Sequence, residues 1–162
     1  MSEHLTSEVI ETSTMPEYSG KLLQKIEADG NCLFKAISFC LYASQDEFKI
    51  VQDKIFEHIL QHWEEFQFFI IGDESYNTPI NNIDDYRNQI SADSILGGDV
   101  ELTVAATIFN LYICVHRSLE DDVKTTFGSD KNRQISLLYT ADGEAGHYDV
   151  ILDGPDSSKQ HN

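Results

Sequence analysis

Apolar positions along the chain fall into stretches with two different periods. From Cys32 to Tyr42 they stand at Leu33, Phe34, Ile37, Cys40 and Leu41, the spacing of one helical face, directly after the turn formers Asp29, Gly30 and Asn31. This pattern predicts a helix that opens at or beside Cys32. Ser44 followed by Glu47 is a capping-box pattern, and Phe48, Val51, Ile55 and Ile59 make one apolar stripe, so a second helix is expected to reach about Trp63. Asp99 is placed to cap a third helix that buries Leu102, Ala105, Ala106 and Phe109. After it the period changes to two. Leu111, Ile113 and Val115 share one face of a strand, and residues 135–139 and 147–152 read as two more strands joined by the turn-rich stretch 140–146. Helices first and strands later predicts an α+β domain, a small mixed sheet flanked by helices.

Between these elements, residues 72–98 mix Asn, Asp, Pro and Gly around one short helical candidate at 84–90, and read mainly as a long surface connection. The run Phe66, Phe68, Phe69, Ile70, Ile71 reads as a buried helix end or strand; if exposed, it would be a docking patch. Residues 1–17 and 154–162 are polar and aperiodic and read as disordered tails, which leaves 18–153 as a single folded domain.

Charge narrows the function classes. With 28 acidic against 11 basic residues the formal charge is −17, which disfavours partners built on phosphate, nucleic acids and anionic membrane surfaces alike. No stretch approaches the roughly 20 apolar residues of a membrane span, and Met1 to Met15 lacks the basic start and apolar middle of a secretory signal. The expectation is a soluble, cytoplasmic protein. Cys32, Cys40 and Cys114 are odd in number and widely spaced, which suits free thiols and neither a disulfide framework nor a metal-binding pair. No metal site is expected, because no Cys, His and Asp group has ligand spacing.

The chemistry concentrates at Asp29-Gly30-Asn31-Cys32-Leu33-Phe34, which sets a thiol at the mouth of a helix after a glycine turn. A helix N-terminus favours the thiolate, so the expectation is a Cys32 pKa below the ordinary thiol value of about 8.5. Free N–H groups of this turn, at Gly30 and Cys32, can hold a developing oxyanion. Of six histidines, His4 and His161 lie in the tails and His58 and His62 on the second helix, while His116 alternates with Cys114 on a strand. His147 is the better base: it opens a strand after Gly146, and Asp149 two residues on shares its face and can orient the ring, whereas Tyr148 points the other way. Cys40, about 80° around the helix from Cys32, and Cys114 read as packing residues.

This constellation resembles the ovarian-tumour (OTU) family of cysteine-type deubiquitinases. Their nucleophile motif reads Asp-Gly-Asn-Cys followed by an aromatic or apolar pair, and their base lies in a late His-Tyr-Asp or His-Tyr-Asn strand. Gly97, Gly98, Asp99, Val100, Glu101 and Leu102 look like the family's glycine turn entering a Glu-Leu helix, although Leu96 stands where many members have Trp. The resemblance runs from about Ile26 to Leu152. It implies a papain-like fold with Cys32 as nucleophile, His147 as general base, Asp149 as the residue that orients it, and Asp29 at the motif's first position, its backbone joining the oxyanion hole. It further implies hydrolysis of the isopeptide bond after the C-terminal glycine of ubiquitin, no cofactor, and ubiquitin or polyubiquitin as partners of a monomer. The acidic pairs Glu64-Glu65, Asp73-Glu74 and Asp84-Asp85, and the run Glu120-Asp121-Asp122, would then steer ubiquitin's basic tail, or simply solvate the surface. Two rival readings are a catalytically silent ubiquitin-binding module of the same fold and an acidic interaction domain with a structural thiol.

Overall fold

The computed structural model describes residues 21–142 and 145–153. The expected tails lie outside the described residues, as do Gly143 and Glu144 of the expected 140–146 loop. A short strand, β1 (Lys21–Gln24), comes first, with Leu22 and Leu23 adjacent, so its four residues carry no alternation to read. Helix α1 (Cys32–Tyr42) follows and is buried from Cys32 through Ser38. It packs against both the sheet and the next helix, as a helix that is apolar nearly all round must.

Ser44 does cap, but at short range. Its hydroxyl accepts Asp46 N–H at 3.1 Å and opens a 3₁₀ turn at Gln45–Glu47, so α2 (Phe48–Gln61) begins after Glu47, which makes no side-chain cap. At His62 the backbone leaves helical geometry, and α3 (Trp63–Ile70) starts afresh. The aromatic run therefore lies on a helix of its own, and the expectation of burial holds for only part of it. Ile70 is buried and Phe66 half-buried, but Phe68 and Phe69 are 79% and 66% exposed. The long connection does hold a helix, α4 (Ile83–Ser91), and it also feeds the core through Ile80, Tyr86 and Ile95. Phe34, Phe56 and Tyr86 stack edge to face there, with centroids 5.5 and 6.1 Å apart.

Helix α5 (Asp99–Ile108) begins one residue earlier than expected. Gly98, not Asp99, is its N-cap, because the Glu101 carboxylate returns to Gly98 N–H at 2.8 Å. Then come β2 (Leu111–His116), β3 (Lys124–Phe127), β4 (Arg133–Asp142) and β5 (Ala145–Asp153). They form one five-stranded sheet with β1 in the order β1-β5-β4-β2-β3; β2 and β4 run parallel, and every other pair is antiparallel. Strand β3 gives no apolar alternation because it is an exposed edge of four residues. In the β4–β5 hairpin Tyr139 pairs with Tyr148, while Thr140 and Leu138 pair with His147 and Asp149. Alternation thus puts the His and Asp on one face and both tyrosines on the other.

Candidate active site

The turn before α1 is held by side chains as much as by backbone. Asn31 N–H donates to Asp29 Oδ1 at 2.9 Å, and Lys35 N–H closes the first helical turn on Asn31 O, also at 2.9 Å. The Asn31 side chain accepts from Gln52 Nε2 at 2.7 Å and donates to Asp93 Oδ2 at 3.2 Å. Lys35, one turn beyond Cys32, reaches back to Glu27 Oε1 and Asp29 Oδ2, each at 2.6 Å, and lies over the Phe48 ring. Burial raises the Asp29 pKa, but the bonds from Lys35 and Asn31 outweigh it and hold the carboxyl below its ordinary value.

Cys32 is 4% exposed, and it lines one groove together with Gly146 and Tyr148. The thiol therefore shares its groove with both chain neighbours of His147. Its pKa corrects the expectation of a helix-activated thiolate. Burial pushes it up, the Tyr148 and Leu33 N–H groups oppose that shift, and the charges of Asp29 and Asp149 add to it. In the resting protein the thiol keeps its proton. Burial raises the other two thiols as well, Cys40 to about 12.

His147 Nε2 lies 2.8 Å from Asp149 Oδ1. That oxygen also accepts Ile26 N–H at 2.8 Å, and Lys25 Nζ stands 3.6 Å from Oδ2. A carboxylate that accepts from a backbone amide and faces a cation acts as acceptor toward the imidazole too, so Nε2 carries the hydrogen and Nδ1 is left as the basic nitrogen. Asp149 is 3% exposed, so this geometry is fixed from inside. Asp29 makes no bond to His147; its carboxylate is committed to Lys35 and Asn31. Of the three expected oxyanion donors, Asp29 N–H is bonded to Glu27 O at 3.1 Å and Cys32 N–H to Asp29 O at 3.3 Å, whereas Gly30 N–H has no partner among the described residues. The other described histidines stand apart in the fold: His58 and His62 stack on each other at the α2–α3 junction, and His116 pairs across β2 with Leu138 and Lys124. Among the described residues no group of three His, Cys, Asp or Glu is arranged to hold a metal.

A groove of about 560 Å³ leads to Cys32. Asp73, Glu74, Tyr76 and Asp99 line it, with Arg117 and the tyrosines of the β4–β5 hairpin. Two of its glycines are required by close approach: a Cβ at Gly97, where φ is +100°, would collide with Leu33, and one at Gly146 with the Tyr139 ring. Lys35, Tyr76 and Arg117 escape a reading by motif. Only Lys35 leaves a trace, as a lysine one helical turn past the cysteine and six residues from Asp29.

A family model described as OTU-like cysteine protease matches residues 27–148, from the start of the Cys32 turn to one residue short of Asp149. The chain belongs to this family. Among curated OTU relatives, it is 30% identical over 138 residues to OVARIAN TUMOR DOMAIN-containing deubiquitinating enzyme 7 of Arabidopsis thaliana, a match covering 85% of this chain and 34% of that protein. It is 27% identical over 146 residues to Ubiquitin thioesterase otu2 of Schizosaccharomyces pombe, covering 86% and 48%. The chain thus spans a third to a half of the length of these relatives. Solved OTU domains share its fold. The OTUD1 OTU domain superposes with a TM-score of 0.62 at 22% identity, covering 94% of this chain and all of that one. An OTU domain in complex with ubiquitin gives 0.59 at 19%, covering 81% and 69%.

Proposed function

We propose that this chain is a cysteine-type deubiquitinase that hydrolyses the isopeptide bond after the C-terminal glycine of ubiquitin. In this reading residues 18–153 are the catalytic domain of a cytoplasmic monomer that acts on ubiquitin and polyubiquitin chains. The observation that carries it is the His147 Nε2 to Asp149 Oδ1 contact of 2.8 Å, on a strand whose Gly146 and Tyr148, on either side of His147, line the same groove as Cys32. Family membership and the names of the curated relatives support ubiquitin as the substrate.

The steps follow from the protonation states. Because the free thiol keeps its proton, attack requires a base: His147 Nδ1 takes the proton as Cys32 Sγ bonds to the carbonyl carbon. The electron pair displaced onto oxygen is met by Gly30 N–H. Collapse breaks the C–N bond, and His147 returns the proton to the departing lysine amine. Water, deprotonated by the same nitrogen, then cleaves the thioester, freeing the ubiquitin carboxylate and restoring the thiol. Asp149 stabilises the imidazolium in both halves. The groove carboxylates Asp73, Glu74 and Asp99 favour a basic tail, and the exposed Phe68 and Phe69 favour an apolar patch on the body of the substrate.

One observation favours the silent-module reading instead: the thiol is nearly closed off from solvent and raised in pKa. Ubiquitin with a thiol-reactive group at its C-terminus separates the readings. The expected result is a one-to-one covalent adduct with the wild type and none with Cys32→Ala, and loss of di-ubiquitin cleavage by at least about 10³-fold in that variant with its fold and ubiquitin binding kept. Binding without an adduct in the wild type overturns the enzyme reading in favour of the module, and neither binding nor adduct favours an acidic interaction domain.

A further inference from the structure

Glu101 has no exposed surface and, among the described residues, no ion-pair partner. Three neutral donors hold it. Oε2 accepts the hydroxyls of Tyr76 at 2.9 Å and Tyr86 at 2.7 Å, and Oε1 accepts Gly98 N–H at 2.8 Å. Burial and the Glu101 charge both raise the pKa of the two tyrosines, so each hydroxyl keeps the hydrogen it donates.

These donors come from three separate stretches of chain. Tyr76 ends the segment that carries Asp73 and Glu74, Gly98 belongs to the turn that leads into Asp99, and Tyr86 is a fully buried anchor on α4. The two groove segments lie against each other, with Ser75 Oγ 3.8 Å from where a Cβ on Gly98 would stand. Asp73, Glu74 and Asp99 are the acidic side chains that line the groove among the described residues. If Glu101 served α5 alone, the bond to Gly98 would be enough, as in any capping box. The tyrosine pair has no such purpose. It directs the second oxygen of a buried charge to the Asp73–Tyr76 loop, whose Tyr76 ring also packs edge to face on Tyr86 at 6.0 Å.

We propose that Glu101 is a positioning residue for substrate recognition: it fastens the Asp73–Tyr76 segment to the Gly97–Gly98 turn, so that the acidic wall of the groove is formed before the substrate tail arrives. This deepens the deubiquitinase reading and rests on it. A wall already in place spares the ordering cost that a loose loop would incur on binding. A hydrogen bond to a charged acceptor is worth about tenfold or more in an opening equilibrium. Tyr76→Phe removes the link to the segment and keeps the ring, and Glu101→Gln forces the tyrosine hydroxyls to turn while Gly98 N–H keeps its oxygen.

The test uses the full chain and two readouts. A Glu-specific protease should cut after Glu74 about tenfold faster in Tyr76→Phe and in Glu101→Gln, with cleavage at the exposed Glu64 and Glu65 unchanged. The second-order rate of adduct formation with the ubiquitin electrophile should fall about tenfold, while alkylation of Cys32 by iodoacetamide, which needs no tail site, stays within about twofold. Should Glu101→Gln fail to fold, Tyr76→Phe decides alone. Unchanged cleavage at Glu74 overturns the proposal, and so does faster cleavage with an unchanged adduct rate. A wild type that forms no adduct while cleavage at Glu74 still accelerates in the variants sinks the deubiquitinase reading and leaves the fastening of the wall by Glu101 standing.

Discussion

Two regions of this domain are built on opposite terms. Around Cys32 and His147 the positioning groups are spoken for: Asn31 is held at both ends of its amide, Lys35 by two carboxylates, and Asp149 by a backbone amide, an imidazole and a lysine. Helix α3 is anchored from one side, by Ile70 and the half-buried Trp63 and Phe66, and leaves Phe68, Phe69 and, just past its end, Ile71 in solvent. Burying a phenylalanine side chain is worth about 1.5–3 kcal/mol, and here that gain is withheld from folding. The contrast teaches where order is needed before the substrate arrives. Proton transfer fails if a ring turns by a fraction of a radian, whereas an apolar contact can be completed by the partner.

The largest expected effect sets the two aspartates against each other. Asp149→Ala should lower kcat by about 10²–10⁴-fold, and Asp149→Asn should retain more, since an amide oxygen still holds Nε2–H. Asp29→Ala should lower activity together with thermal stability, because it leaves Lys35 with Glu27 alone and removes the acceptor of Asn31 N–H that holds the turn. A silent Asp149→Ala, with Asp29→Ala inactive and fully stable, would reverse the two roles. A second break concerns the thiol. Its pKa is raised, so the stability it contributes is complete below the ordinary thiol value of about 8.5 and is lost as pH rises through that value toward the folded one. In His147→Ala, alkylation of Cys32 should therefore keep rising with pH beyond about 8.5, and a plateau below that overturns the burial argument. On the recognition side, adduct formation by the wild type should slow by about tenfold from low salt to well above 0.15 M, where screening reaches about 8 Å, with single-turnover chemistry nearly constant. A flat association rate reduces the acidic surface to a solvated face. The smallest effect is expected from Phe68→Ser with Phe69→Ser: KM higher by a few fold to tenfold, kcat unchanged, and stability within about 0.5 kcal/mol, as for exposed positions. A large loss of stability would mean that these rings serve the fold.

Periodicity carried far where an element is long or amphipathic. The span of α1, the faces of β2 and β5, and the helix inside the long connection all follow from which positions repeat. It failed at β1, β3 and the start of α3 for a shared reason: a four-residue strand or a restart after a broken turn is too short to repeat anything. Caps were read less well, although their bonds are local: Glu101 returns to Gly98 and moves the head of α5 back by one residue, and Ser44 caps the 3₁₀ turn through Asp46 N–H, three residues before Glu47 at the head of α2.

For the site, spacing alone placed Asp149 on the face of His147, because strand geometry makes residues two apart neighbours whatever surrounds them. The Asp-Gly-Asn-Cys turn was equally local and equally readable. What the linear chain does not contain is the environment across elements. That the Cys32 thiol is raised rather than lowered depends on how much of the sheet covers it and on the charges of Asp29 and Asp149, which a helix N-terminus read alone cannot weigh. That Asp29 serves Lys35 and Asn31, and that Tyr76 and Tyr86 converge on Glu101 across 25 and 15 residues, is decided by packing, since hydrogen bonds act over about 3 Å while sequence separation carries no distance at all.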